Sequence, residues 1–481
     1  MIVKIIVIAL YAVMIITVGI IGMRKTRSFN DFFLGGGNVG PWMTAFSYGT
    51  AYFSAVLFIG FAGKIGWNFG YSGLWIALFN ALVGVLLVWG VFGWKIKQIQ
   101  INYKVSTMCE YLEKRYDSPF LKLSGALVIF IFMIPYSAAV FMGLSYLFTS
   151  NFNLEYWHAL FFIGIFTASY IVLGGYKSMA MIDMIFGIIM TVGVIILYFS
   201  TVHEGGGMAM ITNTLKAIEP KLTHSVGPPG WWPLFSLIFL TSVAPFAMPQ
   251  LVQKFYAIRD RRSIRIGMIA STFFALLVGG IAYYIGSTTR IFISPTDPEF
   301  SQVFSNGVPL YDRLMPELLS KVIPESLSVI ILLLILSASM STLAALVLIS
   351  SSSLTKDFYH GFINKNASDQ RLTRLMRFGS AFFVLLSVML AWLDLDSIVA
   401  ILGISWGALG SFFLGPFIWG ILWKDAGKVG AISSGVIGLA TCLILYGNGM
   451  PSPSAGTIGM ITSLAVNPIV SLIIPNKAKS V

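Results

Sequence analysis

Long apolar segments recur from one end of this sequence to the other, and each is about 17 to 28 residues long. A helix that rises about 1.5 Å per residue needs about 20 residues to cross roughly 30 Å of bilayer hydrocarbon, whereas a barrel strand is about half that length and alternates in polarity. Backbone polar groups cannot stay unpaired in lipid, so such segments must be helical. The sequence therefore predicts an all-α polytopic membrane protein.

The composition excludes a water-soluble domain of this size. Of the 481 residues, 57% are hydrophobic and 10% are charged, and the mean hydropathy is +0.84. The first apolar segment is followed by Arg24, Lys25 and Arg27 and has no small-residue cleavage site. It is therefore predicted to be a retained span rather than a signal peptide.

Thirteen membrane spans are predicted from the apolar segments. They cover about residues 4 to 22, 41 to 65, 73 to 94, 122 to 149, 156 to 174, 179 to 200, 232 to 252, 266 to 289, 324 to 350, 376 to 393, 397 to 422, 429 to 447 and 456 to 474. Loops on one side carry about three quarters of the lysines and arginines, which predicts an external N-terminus and a cytoplasmic C-terminus. Bases in short loops set orientation, so the net charge of +12 does not indicate nucleic-acid binding.

Two spans are interrupted at corresponding positions. The second contains glycine, hydroxyl and small residues from Ser47 to Ala55, and the seventh contains Pro245 and Pro249, which remove backbone donors four residues apart. Matched breaks are typical of secondary transporters built from inverted repeats, with the binding site at the breaks. Close helix packing is the alternative for either segment alone.

These breaks divide the chain into five parts. They are the first helix with its cytoplasmic link (1–40), the first five-helix repeat (41–200), an extracellular loop (201–231), the second inverted repeat (232–422), and two C-terminal helices with a short tail (423–481). The long external loops, 203–231 and 291–323, are expected to hold short helices or gate elements. Residues 106–116 have helical apolar spacing and predict an interfacial helix.

Small residues and hydroxyls are concentrated at membrane depth in the ninth span, from Ser337 to Ala345. Ser341 and Thr342 lie one turn after Ala338, so two hydroxyls and one carbonyl can converge on one point. Oxygen ligands of this kind suit a small hard cation such as sodium, and helix packing is the alternative.

Asp183 is an acidic residue inside the sixth span, about four residues from the cytoplasmic end. An ionised group at depth costs about 2 to 3 kcal/mol and requires a partner or a water-filled path. It is expected either to pair with Lys177 near the headgroups or to lie on the exit path of a cation.

The chain resembles the sodium/solute symporter family, which includes bacterial proline, pantothenate and sugar symporters and mammalian glucose and monocarboxylate cotransporters. The resemblance extends over nearly the whole chain and is carried by residues 33–36, 40–41, 338–342 and 353–359. It implies a leucine-transporter-like 5+5 inverted repeat with about 13 transmembrane helices, in agreement with the spans counted above.

The resemblance also implies a sodium site. Its ligands would be the carbonyls of Thr50, Phe53 and Ala338 and the hydroxyls of Ser341 and Thr342. Asp183 matches an acidic position on the sixth span that serves as a waypoint for sodium release in the family.

Departures from the family pattern restrict the stoichiometry and the solute. Members with a second sodium site have hydroxyls where this chain has Ala344 and Ala345, so one sodium per cycle is expected. Proline symporters carry an aspartate in place of Tyr52. Sugar symporters use polar side chains where this chain has Leu57 and an almost purely apolar third span. These differences argue against a sugar and weaken the case for proline.

The substrate cavity is expected between the two breaks and the eleventh span. Candidate lining residues are Tyr52, Ser54, Tyr136, Ser137, Ser242, Phe246, Ser405 and Trp406. None is charged, so a carboxylate would be bound by hydroxyls, backbone donors and a helix N-terminus. Simple packing is the alternative for the aromatic residues.

The expected function is alternating-access import of a small organic solute, a carboxylate or an amino acid, coupled to Na+ across the cytoplasmic membrane. A proton-coupled symporter of the same fold is the nearest alternative. A membrane sensor is disfavoured by the short tail after residue 475, and an embedded enzyme by the lack of a second acid or base near Asp183. Beyond the solute and the lipid bilayer, no nucleic acid and no obligate protein partner are implied.

Overall fold

The computed structural model describes residues 2–25, 28–173 and 175–475, which are helical almost throughout. The first ten α-helices are α1 (Ile2–Lys25), α2 (Phe29–Leu34), α3 (Pro41–Tyr52), α4 (Ala62–Phe69), α5 (Leu74–Phe79), α6 (Trp94–Tyr103), α7 (Met108–Tyr116), α8 (Pro119–Phe152), α9 (Tyr156–Leu173) and α10 (Tyr176–Glu204). The next eleven are α11 (Met208–Ile218), α12 (Trp231–Val243), α13 (Pro249–Ala257), α14 (Arg261–Ser287), α15 (Thr289–Phe292), α16 (Tyr311–Val322), α17 (Ser328–Ser352), α18 (Asp369–Trp392), α19 (Ile398–Leu422), α20 (Lys428–Gly447) and α21 (Ser452–Ile473).

Shorter elements link these helices. Wider π-helical turns cover Val56–Phe61, Asn80–Gly93 and Ser353–Ile363, and 3-10 turns cover Gly35–Gly37, Gly70–Gly73, Pro220–Thr223, Ala244–Ala247, Pro298–Val303 and Glu325–Leu327. Strands β1 (Phe304–Ser305) and β2 (Val308–Pro309) pair antiparallel in the second long loop. The expectation of short elements in both external loops is confirmed by α11 and α16.

Ten helical segments of the described chain are long and apolar enough to cross a membrane, and the bent pair α12 and α13 would make an eleventh. The second and third predicted spans account for part of the difference from thirteen, because residues 56–103 form one continuous helical segment. The fifth predicted span accounts for the other difference. It corresponds to α9, which is not among the ten segments and which ends beside residue 174, outside the described ranges. The structure is compatible with thirteen spans, and that number stays a prediction.

The second span breaks where its sequence predicted. Helix α3 ends at Tyr52, and Phe53 is extended, with φ −110° and ψ 106°. Ser54 restarts the helix, because its hydroxyl accepts the N–H of Val56 at 3.2 Å and its carbonyl accepts the N–H of Leu57 at 3.0 Å. The backbone carbonyls of the last turn of α3 are thereby left without helical donors.

The seventh span is broken by its prolines. Helix α12 ends at Val243, a 3-10 turn follows, and Met248 is extended before α13 begins at Pro249. Each proline lies in the first turn of a new helical element, where its missing N–H costs no hydrogen bond. The axes of the two halves differ in direction by 41°.

Helix α17 lies at the centre of the bundle. Every residue from Leu334 to Ser352 is buried, and the helix packs against α3, α8, α9, α10 and α18. Helix α3 lies between α10, α14 and α17, and α19 packs against α8 and the 3-10 turn of the seventh span. The two breaks therefore face the interior of the protein.

Helix α4 is held close to α14 by two glycines. A Cβ atom on Gly66 would lie 2.0 Å from the carbonyl of Gly286, and one on Gly286 would lie 2.1 Å from the carbonyl of Ala62. The backbones therefore touch directly, as small residues permit in membrane helix packing. This contact fixes the outer half of the broken second span.

The amphipathic helix predicted at 106–116 forms as α7, with Thr107 as its N-cap. Its apolar residues, including Leu112 and Tyr116, are buried, and the helix packs against α8 and α19. The apolar face of α7 is therefore covered by protein.

Candidate functional site

A cluster of buried oxygen atoms joins α3 to α17. The hydroxyl of Ser341 donates to the hydroxyl oxygen of Thr50 at 2.7 Å. The hydroxyl of Thr342 lies 3.1 Å from the carbonyl of Thr50 and 3.1 Å from the carbonyl of Ala338. Four of the five residues predicted to bind sodium are thus brought together, and all four are buried. We call Thr50, Ala338, Ser341 and Thr342 the oxygen cluster.

The oxygen cluster contains more acceptors than donors. The single hydroxyl hydrogen of Thr342 faces three carbonyl oxygens, because Ala51 O is also 3.5 Å away. The hydroxyl hydrogen of Thr50 is used on the carbonyl of Phe46 at 2.8 Å. The carbonyls of Thr50 and Ala51 lie at the broken end of α3 and have no helical donor, whereas that of Ala338 belongs to the unbroken helix α17. Buried acceptors without donors are costly. A small hard cation would satisfy them, since it takes carbonyl and hydroxyl oxygens as ligands.

Phe53, the fifth predicted sodium ligand, lies in the extended break three residues after Thr50. Its N–H donates to the carbonyl of Gly49 at 3.0 Å, and its ring stacks edge-on against Tyr52. The hydrogen bonds of the oxygen cluster do not include its carbonyl. Its role as a ligand stays a prediction.

Asp183 is paired with Lys254, which lies just beyond the predicted end of the seventh span. The hydroxyl of Ser47 donates to Asp183 Oδ2 at 2.5 Å, Lys254 Nζ donates to Ser47 Oγ at 2.7 Å, and Lys254 Nζ lies 3.9 Å from Asp183 Oδ2. All three side chains are buried, whereas Lys177 is exposed. The alternative pairing of Asp183 with Lys177 is therefore wrong, and Lys254 is its partner.

A cavity lies beside the first break. Its lining residues are Tyr52, Phe53, Ser54, Val56, Leu57, Phe61, Asn80, Tyr136, Thr241, Tyr283, Leu402 and Trp406. Four of the eight candidate substrate residues are among them, and the ring of Trp406 lies 5.9 Å from Tyr52 and 5.8 Å from Tyr136. The cavity is aromatic, uncharged and adjacent to the oxygen cluster.

The structure places the other four candidates outside this lining. Ser137 is buried. Ser242 donates to Asn80 Oδ1 at 2.9 Å, and Phe246 packs against Phe92 at 5.3 Å between ring centroids. Ser405 donates to the carbonyl of Phe132 at 2.5 Å. Ser242, Phe246 and Ser405 are thus directed to neighbouring elements, and the four assignments stay predictions.

Asn80 is a polar lining residue that sequence reasoning missed. Its Oδ1 lies 2.8 Å from the hydroxyl of Thr241 and 2.9 Å from that of Ser242, so one end of the amide is anchored to α12. The only signal in the sequence was one amide within the apolar third span. Tyr283 on α14 was also missed, and it too lines the cavity.

Polar contacts join α16 and α4 to the start of α19. Asp312 Oδ2 accepts the N–H of Ile398 at 2.9 Å, and Lys64 Nζ donates to Ser397 Oγ at 2.9 Å. Burial raises the pKa of Asp312 to about 7, although the hydrogen bond from Ile398 and the nearby Lys64 lower it in part. These contacts hold the start of α19 against the outer half of the broken second span.

Membrane-length helices, two matched breaks, an oxygen cluster suited to a cation and an adjacent cavity define a secondary transporter. The chain matches the model of the sodium:solute symporter family over residues 32–438. It therefore belongs to that family, and it is a sodium-coupled solute symporter.

Several characterised proteins are similar over nearly the whole chain. The osmoregulated proline transporter OpuE of Bacillus subtilis is 26% identical, with 98% of this chain and 95% of the relative covered. The sodium/pantothenate symporter of Escherichia coli is 28% identical, with 91% and 90% covered.

Solved structures show the same fold. A Na+-coupled sialic acid symporter, determined in a substrate-bound outward-open state, superposes with a TM-score of 0.84 at 18% identity over 99% of both chains. MhsT in complex with L-phenylalanine has a TM-score of 0.51 at 15% identity, with 90% of this chain and 97% of that chain covered. The leucine-transporter-like fold class expected from the sequence is confirmed.

Proposed function

We propose that this chain imports one small organic solute with one sodium ion per cycle and that Thr50, Phe53, Ala338, Ser341 and Thr342 bind the sodium. The observation that carries the site assignment is the excess of acceptors in the oxygen cluster, where one Thr342 hydrogen faces three carbonyls. An orientation with the N-terminus outside and the C-terminus in the cytoplasm completes the proposal.

The solute is a carboxylate or an amino acid. The cavity lies beside the break in the second span, and its aromatic walls suit an apolar body. Asn80 and Ser54 supply hydrogen-bonding groups, as do the free backbone groups at the break. Relatives named for proline and pantothenate transport handle solutes that both carry a carboxylate.

Sodium couples to the solute through helix α3. The oxygen cluster ties the end of α3 to α17, and Tyr52 and Phe53, which follow at once, line the cavity. Sodium therefore favours the conformation in which the cavity wall is complete, and the solute favours the same conformation. Asp183, linked to α3 through Ser47, lies on the path by which sodium leaves.

Purified protein in proteoliposomes tests the proposal. Solutes are first screened by sodium-dependent thermal stabilisation with amino acids, organic acids and vitamins, because a ligand that binds only the folded state raises its stability. Uptake of the selected solute is then driven by an inward sodium gradient or by an inward proton gradient alone. Uptake that follows the proton gradient without sodium would favour the proton-coupled alternative.

The double variant S341A/T342A tests the site. We expect its half-saturating sodium concentration to rise at least about tenfold, because two of the five ligands are removed. The matched control is S339A on the same helix, whose hydroxyl donates within α17 to the carbonyl of Ile335 at 2.6 Å. Wild-type sodium dependence in S341A/T342A would contradict the site assignment.

A further inference from the structure

A buried chain of polar groups joins both broken spans to α10. Lys254 belongs to α13, the second half of the broken seventh span, and Ser47 belongs to α3, the first half of the broken second span. Lys254 Nζ donates to Ser47 Oγ at 2.7 Å, and Ser47 Oγ donates to Asp183 on α10 at 2.5 Å. We call Lys254, Ser47 and Asp183 the ionic relay.

Both charges of the ionic relay are removed from water. Lys254 is fully buried and Asp183 is 1% exposed. A buried carboxylate without a cation is strongly destabilising, so Asp183 needs a positive charge nearby at every stage of the cycle. In this conformation Lys254 supplies it from 3.9 Å.

The pairing of Asp183 is incomplete, because one carboxylate oxygen remains an available ligand. Asp183 Oδ2 accepts from Ser47, whereas Oδ1 is buried and has no hydrogen-bond partner. Lys254 reaches the carboxylate mainly through Ser47, and its ammonium also lies 5.1 Å from the ring centroid of Tyr176. The ammonium is therefore held beside the carboxylate without a direct hydrogen bond to it.

The ionic relay lies next to the oxygen cluster. Ser47 is three residues before Thr50 on α3, so the two side chains are neighbours along one helix face. Ser341, whose hydroxyl donates to Thr50, also lies beside the Asp183 carboxylate. A sodium ion that leaves the oxygen cluster toward the cytoplasm would meet a carboxylate already balanced by an ammonium group.

We propose that Lys254 is a tethered countercation that competes with sodium for Asp183, so that sodium is released to the cytoplasm instead of being retained in the bundle. The inference rests on the proposed sodium site and exit path. It makes Lys254 a positioning residue, because it acts on sodium through Asp183 and Ser47. Because Lys254 belongs to α13, the inference also links the cytoplasmic half of the broken seventh span to sodium release.

The competition predicts that loss of the lysine charge tightens sodium binding. In K254Q and K254M, no lysine ammonium would compete with sodium for the carboxylate of Asp183. We expect the half-saturating concentration in solute-free binding of radiolabelled sodium to fall at least about tenfold, the scale of coupling between close charge pairs. Net uptake should become slower at saturating sodium, because release limits the cycle.

Two matched lysine variants separate charge from packing. K254R keeps the positive charge and should stay within about threefold of the wild-type sodium affinity. K97M removes another buried lysine on the cytoplasmic side, whose Nζ donates to the carbonyl of Tyr256 at 3.0 Å and is not paired with a carboxylate. It should leave sodium affinity unchanged.

The double variant D183N/K254Q completes a thermodynamic cycle. With the carboxylate neutralised, the lysine has nothing to compete for, so D183N and D183N/K254Q should bind sodium equally. The double variant contains no buried charge in the ionic relay, so it is expected to fold even where a single neutral variant is unstable. Thermal unfolding of each purified variant reports the folded fraction.

Unchanged or weaker sodium binding in folded K254Q would overturn the inference, as would a lysine effect that persists in the D183N background. Failure of the proposed function would give a different result. The wild type would then bind no sodium, and S341A/T342A would bind none either. Tighter sodium binding in K254Q supports the competition only when the wild type and S341A/T342A differ as proposed.

Discussion

The oxygen cluster and the solute cavity lie on either side of the same break in the second span, yet they are built differently. The cluster consists of carbonyls and hydroxyls on two helices, α3 and α17, within about one turn of each. The cavity is lined from both halves of the second span, from the third span and from α8, α12, α14 and α19, largely by aromatic side chains. One site depends on backbone geometry and the other on how several helices pack together.

This difference determines how each site tolerates substitution. The cluster has few ligands, so the loss of one oxygen removes a large part of the binding energy. The cavity has twelve lining residues, and most contribute shape rather than a hydrogen bond. Substitutions in the oxygen cluster should therefore lower the sodium affinity strongly, and substitutions in the cavity should lower the solute affinity less.

The largest effect is expected from Thr342→Val, which replaces the hydroxyl by a methyl group of similar size. The carbonyls of Thr50 and Ala338 would then face an apolar group, and we expect the half-saturating sodium concentration to rise about 30-fold or more. Solute affinity at saturating sodium should change little. Sodium titration of uptake in proteoliposomes measures both.

The control for this change is T191V on α10, where the threonine hydroxyl donates to the carbonyl of Gly187 at 2.7 Å within its own helix. It should keep the wild-type sodium dependence. A Thr342→Val protein that loses solute affinity as much as sodium affinity would show that the cluster and the cavity are one site.

An intermediate effect is expected from Asn80→Ala. The substitution removes the anchored amide from the cavity wall and leaves the hydroxyls of Thr241 and Ser242 without their partner. We expect the apparent solute affinity to fall about tenfold, equivalent to about 1.4 kcal/mol, while solute-free sodium binding stays unchanged. Solute titration of the thermal shift at saturating sodium checks this.

N467A provides the comparison for Asn80→Ala, because Asn467 is also a buried amide but bonds Ser434 at 3.2 Å on the C-terminal helices. It should leave the solute affinity as it is. Equal losses in the two variants would indicate a general loss of packing and would remove Asn80 from the cavity's function.

The smallest effect is expected from Ser137→Ala. Ser137 follows the lining residue Tyr136 on α8, but its buried hydroxyl has no hydrogen-bond partner and lies outside the cavity lining. Uptake should stay within about twofold of wild type for both sodium and solute, because no interaction is lost. A tenfold loss of solute affinity would place Ser137 back in the site.

The residues that the sequence predicted to converge, and that the structure brings together, share a physical property. Apolar segment length decides that the chain spans a membrane, and a carbonyl with two hydroxyls at fixed helical spacing decides where oxygens converge. Ala338, Ser341 and Thr342 depend only on their own helix, and local geometry of this kind is readable from sequence. Thr50 lies on another helix, and it was expected only from the family resemblance.

The cavity lining could be predicted only in part. Ser242 was predicted, whereas its chain neighbour Thr241 lines the cavity, and of the predicted pair Ser405 and Trp406 only Trp406 does so. One residue along a helix turns the side chain by about 100°, so an error of one position selects a different face. Which face is used depends on the rotation of each helix within the bundle, and no local pattern records it.

Lys254 was misjudged for a related reason. It lies two residues beyond the predicted end of the seventh span and close to a run of arginines, so it was predicted to belong to a loop. The break at Met248 bends α13 and directs Lys254 toward Ser47 and Asp183 on two other helices. A cation and an anion far apart in sequence are paired by tertiary structure alone.

The charges in the bundle also determine how transport responds to voltage. The oxygen cluster has no ionised side chain, and Lys254 balances Asp183. The positive charge of a bound sodium ion is therefore not cancelled by the protein, and a membrane potential acts on it with about 2.3 kcal/mol per 100 mV. Import of a zwitterionic amino acid would then carry electric current, whereas import of a singly charged carboxylate with one sodium would carry none.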